Sequence, residues 1–135
     1  MRIVTIEFQK IRSTVNEEVC TKMSTLKIAV CYMVHDDTYY LAPSIASFQA
    51  AGDTFVFVSQ TPWHDQPGDW EATAELARHT GATVVYGEWR SEVEHRQAVL
   101  QHLRDNGFTH SFLPDGDEII EPTLLLALQK LILWR

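Results

Sequence analysis

Two kinds of hydrophobic pattern alternate along this chain. Short runs of consecutive apolar residues, such as 27–34 (KIAVCYMV), are typical of strands that are buried on both faces of a sheet. The stretches between them carry apolar residues three or four positions apart, as Leu41, Ile45 and Phe48 do, which is the spacing of one helix face. The pattern predicts four strands, at about 27–34, 54–59, 83–86 and 109–113, and four helices, at about 41–51, 70–79, 92–105 and 122–134.

Capping residues indicate where these helices begin and end. Asp69 and Ser91 are suited to N-cap positions, and Glu94 completes a capping-box pattern three residues after Ser91. Pro122 suits a first helical turn, where its missing N–H is harmless. We expect glycines to end the first three helices, because glycine readily takes the left-handed conformation; they are Gly52, Gly81 and Gly107. The third helix is expected to bury four apolar residues, namely Val93, Val99, Leu100 and Leu103.

Strands that alternate with helices predict an α/β fold with a mostly parallel sheet and helices on both faces, as in a Rossmann-like half domain. Residues 23–135 are expected to form this domain. Residues 1–22 fit the alternation poorly. We interpret them as an N-terminal extension, either an upstream segment or an additional strand with a tail.

Composition narrows the range of functions. The 135 residues include 11 Lys and Arg against 18 Asp and Glu, a net charge of −7. Such an acidic chain is unsuited to nonspecific nucleic-acid binding, and an anionic ligand would need a metal ion or local donors. Cys20 and Cys31 form no C-x-x-C pair, and the first residues lack a signal-peptide pattern, so we expect a cytoplasmic protein. No apolar stretch is long enough for a transmembrane segment.

Four acids cluster after the fourth predicted strand, in 112–122 (FLPDGDEIIEP). Asp115 and Asp117 flank a glycine that would let the backbone turn so that both carboxylates converge. Two such carboxylates, together with diphosphate oxygens, would suit Mg²⁺ or Mn²⁺. The alternative is a turn in which these acids accept backbone N–H bonds. Glu118 and Glu121 are expected to support the loop or to cap the last helix.

Three segments in order resemble the nucleotide-binding half of a family 2-type glycosyltransferase, which has the GT-A fold. Residues 28–48 resemble that family's opening strand, short polar segment and helix, with His35-Asp36 where Asn-Glu is usual. Residues 94–107 resemble its Ala-Arg-Asn helix, and FLPDGDE at 112–118 resembles its Asp-x-Asp metal motif. The resemblance covers 27–122. The acceptor half that follows the metal motif in the family has no counterpart here, so the predicted domain is incomplete at its C-terminus.

The resemblance implies roles for the matched positions. Asp36 or Asp37 would lie near the base and ribose, although either could instead cap the first helix. Arg96 would approach the base or diphosphate, unless it is simply an exposed helix charge. Asp115 would reach the ribose or sugar and, with Asp117, hold Mn²⁺ or Mg²⁺. The implied nucleotide-sugar-binding residues are His35, Asp36, Asp37, Ser59, Gln60, Arg96 and Asp115, where Ser59 and Gln60 replace an acid that contacts the base in the family.

The function implied is metal-dependent binding of a nucleotide-diphosphate sugar for glycosyl transfer to an acceptor hydroxyl. The acceptor and the catalytic base are not assigned. The alternative is a non-catalytic α/β interaction module that has lost ligand binding and forms a homodimer through the last helix. A phosphotransfer receiver domain would need a lysine after its last strand, which this sequence lacks. Trp63 and Trp70 could stack on a base or sugar, or could pack at the domain edge.

Overall fold

A computed structural model describes residues 26–133, and both the predicted extension 1–22 and Trp134 lie outside this range. The described residues form the predicted α/β fold, a four-stranded, all-parallel sheet with four α-helices. The strands are β1 (Ile28–Val34), β2 (Asp53–Ser59), β3 (Thr83–Gly87) and β4 (His110–Phe112). The helices are α1 (Leu41–Phe48), α2 (Trp70–His79), α3 (Glu92–Asp105) and α4 (Pro122–Leu133), and a 3₁₀ turn, Gln49–Ala51, follows α1.

The strand order is β3-β2-β1-β4. The chain moves outward from β1 to β3 and then returns to the other side of β1. There β4 pairs with β1 in parallel, with Ser111 opposite Ala29. Because parallel crossovers are right-handed, this reversal places α1 and α2 on one face of the sheet and α3 on the other. The strand order therefore reverses between β1 and β4, and open α/β sheets form their ligand crevice at the carboxyl ends of the strands at such a point.

Two apolar cores lie on the two faces of the sheet. On one face, Tyr32 and Val56 pack against Ile45 of α1 and Leu125 of α4. On the other face, Cys31 and Phe57 pack against Val99 and Leu103 of α3. Cys31 is a core thiol, and the residue is 1% exposed. Consecutive residues of β1 thus contribute to opposite cores, which explains its unbroken apolar sequence.

The helix caps agree with the sequence pattern. Asp69 accepts a hydrogen bond from the Ala72 N–H (2.9 Å), and Ser91 accepts one from the Glu94 N–H (3.2 Å). The Glu94 carboxylate accepts the Arg90 N–H (2.9 Å), one residue before the N-cap. Glu121 caps α4 by accepting the N–H groups of Thr123 and Leu124, at 3.1 and 3.3 Å.

Two predicted details are wrong. Val93 is 64% exposed, because the inward stripe of α3 is His95, Val99 and Leu103, and a residue two positions before His95 points to the opposite side. Gly52 has φ = 170°, which is extended backbone, whereas Gly81 (86°) and Gly107 (72°) are left-handed, as predicted. Gly52 is needed for space, since a Cβ there would lie 2.2 Å from the Ile28 carbonyl oxygen.

No helix within residues 26–133 is long and apolar enough to cross a bilayer. The cytoplasmic location stays a prediction.

Candidate functional site

The crevice between the carboxyl ends of β1 and β4 brings two of the predicted acidic segments together. Residues 35–37 follow β1, and residues 113–118 follow β4. These strands are neighbours in the sheet although they are far apart in the chain. Ligands of open α/β sheets bind at such a reversal of strand order. The crevice is therefore the candidate site.

Asp37 and Gly116 bring the two segments into contact. A Cβ on Gly116 would lie 1.7 Å from Oδ2 of Asp37, so the carboxylate occupies the space that any larger residue would need. Gly116 does not share the positive φ of Gly81 and Gly107. The backbone does turn at this glycine, as expected, since the Glu118 N–H donates to the Asp115 carbonyl (3.0 Å), but the turn needs no left-handed φ. The glycine also makes room for the carboxylate of a neighbouring loop.

Two hydrogen bonds hold Asp37 in place, and a third fixes its partner Thr73. Its N–H donates to Oγ1 of Thr73 (2.9 Å), and the Thr73 hydroxyl donates to the Asp69 carbonyl (3.0 Å). Its carboxylate accepts the backbone N–H of Tyr40. Neither Asp36 nor Asp37 caps α1, because the N-cap is Tyr40 and it makes no side-chain capping bond. Asp37 instead fixes the turn that leads into α1.

The site concentrates negative charge. The pKa of Asp37 is raised, chiefly because the carboxyl is partly buried; the bond from Tyr40 opposes this shift, and the charges of Asp117 and Asp36 add to it. A cation would relieve this repulsion. Within 26–133, no three His, Cys, Asp or Glu side chains are grouped to hold a metal ion. Asp37 and Asp117 supply two oxygen donors, so a divalent ion fits only if a ligand provides further oxygens.

The loop that carries Asp115 and Asp117 is closed by reciprocal hydrogen bonds. The Asp115 N–H donates to the Glu118 carboxylate (2.9 Å), and the Glu118 N–H donates to the Asp115 carbonyl (3.0 Å). Glu118 therefore supports the loop, as predicted. Asp115 and Asp117 are both exposed.

Two serines of α1, which the sequence motifs did not indicate, anchor this loop. Ser44 donates to the Glu118 carbonyl and accepts the hydroxyl of the buried Tyr32 (3.0 Å). Ser47 accepts the Ile120 N–H (3.1 Å). Ser44 lies on the apolar stripe of α1 and is fully buried. A serine in an apolar stripe was the available signal, because a buried hydroxyl requires a partner.

His35 and Ser59 are engaged by the backbone of adjacent loops. His35 Nδ1 donates to the Ser59 carbonyl (2.7 Å), and Nε2 accepts the Gly68 N–H (2.9 Å). Ser59 is fully buried, and its hydroxyl accepts the Trp89 N–H (3.1 Å). Their present contacts position the loops after β2 and β3, and their ligand-binding roles stay predictions.

Gln60 and Arg96 lie outside the two acidic segments, since Gln60 follows β2 and Arg96 lies on α3. Gln60 is exposed and lines an open depression of about 670 Å³ between α2 and β3, on the far side of the sheet from β4. Arg96 is 29% exposed and forms an ion pair with Glu92 (2.9 Å). The structure does not bring Gln60 into the β1–β4 crevice. Arg90, an exposed cation just after β3, is a further candidate that the motifs did not indicate.

The two tryptophans of interest pack within the domain. The Trp63 Nε1–H donates to His95 Nδ1 (3.2 Å). Trp70 meets Tyr86 edge to face, with ring centroids 6.2 Å apart. The edge-packing alternative therefore describes both residues in this structure.

Comparison with known proteins finds no matching family, no matching curated protein and no matching solved structure. The resemblance to glycosyltransferases rests on the sequence motifs alone.

Proposed function

We propose that this protein binds a nucleotide-diphosphate sugar, together with Mn²⁺ or Mg²⁺, in the crevice between β1 and β4. A GT-A-type glycosyltransferase would use such a complex for glycosyl transfer to an acceptor hydroxyl. The observation that carries the proposal is the contact of the Asp37 carboxylate with Gly116, one residue before Asp117, where the strand order reverses. The resemblance of 27–122 to the family supports it independently.

The proposed metal ligands differ from the predicted pair. Asp117 is retained, but Asp37 replaces Asp115, because the charge of Asp117 acts on Asp37 and the Asp37 carboxylate lies against Gly116. Diphosphate oxygens would complete the coordination of the ion. When bound, the ion would offset the charge of a nucleoside-diphosphate leaving group. Asp115, which is exposed at the other side of the glycine, remains available to the ribose or sugar.

The chain's own residues would orient the donor. Tyr40 and Thr73 hold Asp37 by hydrogen bonds before any ligand arrives, and Ser44 and Ser47 fix the loop that carries Asp117. Such preorganisation lowers the entropic cost of binding. Arg90 follows the carboxyl end of β3, and Arg96 lies near the start of α3; both carry positive charge.

Calorimetric titration with UDP and GDP, with and without Mn²⁺, tests the proposal. We expect metal-dependent binding of one nucleotide that Asp37→Asn and Asp117→Asn each weaken at least about tenfold, since a charged contact contributes about 1.5–3 kcal/mol. Asp105→Asn, at the far end of α3, is the matched control and should leave binding unchanged. Metal-independent binding, or an Asp117→Asn variant with wild-type affinity, would refute the metal assignment.

The alternative, a non-catalytic interaction module, has one observation in its favour. Helix α4 fully buries only Leu125, whereas four of its leucines are between 45% and 71% exposed. Such an apolar surface is typical of interaction sites. The exposed leucines are Leu124, Leu126, Leu131 and Leu133.

Light scattering tests the homodimer that this alternative predicts. A dimer should dissociate in the Leu126→Lys/Leu133→Lys variant, whereas Lys130→Gln, the matched control on the same helix, should remain dimeric. A monomer that binds nucleotide with metal would exclude the alternative.

A further inference from the structure

Residues 60–68, here called the strap, connect β2 to α2 along the carboxyl edge of the sheet. At one end, the Gln60 N–H donates to the Gly87 carbonyl (2.8 Å). At the other end, the Gly68 N–H donates to His35 (2.9 Å). Gly68 also lies directly against Asp36, since a Cβ on Gly68 would be 2.2 Å from the Asp36 carboxylate. The position of the strap and that of the acidic segment after β1 are therefore coupled.

The middle of the strap is attached to α3 through one side-chain pair. The Trp63 Nε1–H donates to His95 Nδ1 (3.2 Å), and the two rings meet edge to face with centroids 5.6 Å apart. His95 is completely buried, and its Nε2 lies 2.8 Å from the Phe57 carbonyl. Only the neutral tautomer with its proton on Nε2 can donate to Phe57 and accept from Trp63 at once.

The surroundings of His95 keep its ring in one orientation. Trp89 stacks on it, with centroids 4.3 Å apart and planes inclined by 22°. The backbone N–H of Trp89 donates in turn to the buried Ser59 hydroxyl (3.1 Å). An apolar residue at position 95 would fill the same space without the cost of burying two ring nitrogens. What the imidazole adds is a directional acceptor for the strap.

We propose that Trp63 and His95 form a latch that fixes the strap, and through Gly68 holds His35 and Asp36 in place at the ligand crevice. The pair acts as positioning residues that do not themselves touch the ligand. Without the latch, the strap would have to be ordered when ligand binds, and that entropic cost would weaken binding. The effect on nucleotide affinity rests on the proposed function, whereas the effect on the strap does not.

Hydrogen exchange at the Gly68 amide is the direct test. His95→Leu removes the acceptor, and Trp63→Phe removes the donor while keeping an aromatic ring. We expect each to accelerate exchange at Gly68 by about 2–10-fold, the equivalent of one neutral hydrogen bond. His95→Gln can donate to Phe57 and accept from Trp63, so it should restore slow exchange. His102→Leu, on the same helix and packed against Phe55 and Phe57, is the matched control and should leave Gly68 unchanged.

Titration of the same variants with Mn²⁺ and UDP separates positioning from simple packing. We expect weaker UDP binding in His95→Leu and Trp63→Phe, by a factor similar to the gain in exchange, and recovery in His95→Gln. Variants that lower the free energy of unfolding but keep wild-type exchange at Gly68 would refute the latch. Faster exchange with unchanged UDP affinity would refute its role at the crevice. If the wild-type protein binds no nucleotide, the proposed function fails, and the exchange data alone still decide whether the latch exists.

Discussion

At the scale of single residues, the contact between Asp37 and Gly116 explains why a glycine stands between two acids in the loop after β4. The carboxylate that fills the missing side-chain position comes from a loop 79 residues earlier in the chain. The contact also keeps Asp37 next to Asp117, despite their mutual repulsion. Natural proteins tolerate such unfavourable arrangements mainly at functional sites.

Alanine at Gly116 should displace the Asp37 carboxylate rather than unfold the protein. The new Cβ would meet only the end of a side chain, which can rotate away and lose its bond from Tyr40, at a cost of about 0.5–1.5 kcal/mol. Gly52→Ala is the matched comparison. Its Cβ would meet the Ile28 carbonyl at 2.2 Å, and that backbone cannot rotate away. Urea denaturation should therefore show a larger loss for Gly52→Ala; equal losses would contradict the explanation.

The free energy of unfolding should fall in acid because of His95. Burial lowers its pKa from 6.5 to about 4, and the bond to Phe57 only partly opposes this shift. The native ring stays neutral while the unfolded chain takes up a proton, so its contribution is complete above pH 6.5 and is lost as pH falls through about 4. The loss should reach roughly 3 kcal/mol, at about 1.4 kcal/mol per pH unit.

The measurement is the free energy of unfolding of the wild-type protein and of His95→Gln between pH 7 and pH 4. Subtracting the free energy of His95→Gln from that of the wild type at each pH removes the effect of the other titrating groups, which the two proteins share. The wild-type value should fall more steeply below pH 6.5. Parallel curves would show that His95 does not remain neutral in the folded protein.

At the scale of elements, local signals indicated where helices begin more reliably than which face they bury. The caps Asp69 and Ser91 both lie where the sequence predicted them. Val93 was misassigned, because α3 is mostly polar on its surface and its inward stripe includes a histidine. A helix face that consists of one histidine and two apolar residues cannot be recognised as an apolar face from the sequence.

Removing either N-cap side chain should lower the free energy of unfolding by a similar amount. Asp69→Ala and Ser91→Ala each delete one hydrogen bond to a first-turn N–H, and we expect each to lower the free energy of unfolding by about 1 kcal/mol. Thr109→Ser, which retains a hydroxyl at a position outside the helices, is a control that should stay near the wild-type value. The check is urea denaturation followed by circular dichroism. A loss confined to one variant would mean that the other cap is replaced by solvent.

At the scale of the whole molecule, the strand order decides where the acidic segments meet. The β1–β4 pairing places 35–37 beside 113–118, whereas β3 and the depression lined by Gln60 and Tyr86 lie at the opposite edge of the sheet. We assign the proposed donor complex to the crevice, because acidic segments from two neighbouring strands meet there.

Chemical-shift mapping with Mg²⁺ and UDP distinguishes the two places. We expect the largest changes at amides of 35–40 and 115–118, with Gln60 and Tyr86 little affected. Asp117→Asn should abolish the changes in the crevice. Shifts centred on Trp70 and Tyr86 would instead assign the ligand to the depression between α2 and β3.

The sequence by itself determined the α/β class, all four strands, the N-caps of α2 and α3 and the acids that follow β1 and β4, because these depend on local spacing and on backbone preferences. Only the tertiary structure decided which acids meet. Asp37 meets Gly116, which stands between Asp115 and Asp117, whereas Gln60 lines the depression beside α2 and β3. It also showed that Ser44 bonds to the loop after β4 and that Trp63 of the strap bonds to His95 of α3. These facts depend on contacts between residues far apart in the chain, and no local pattern of hydrophobicity or charge encodes such pairings.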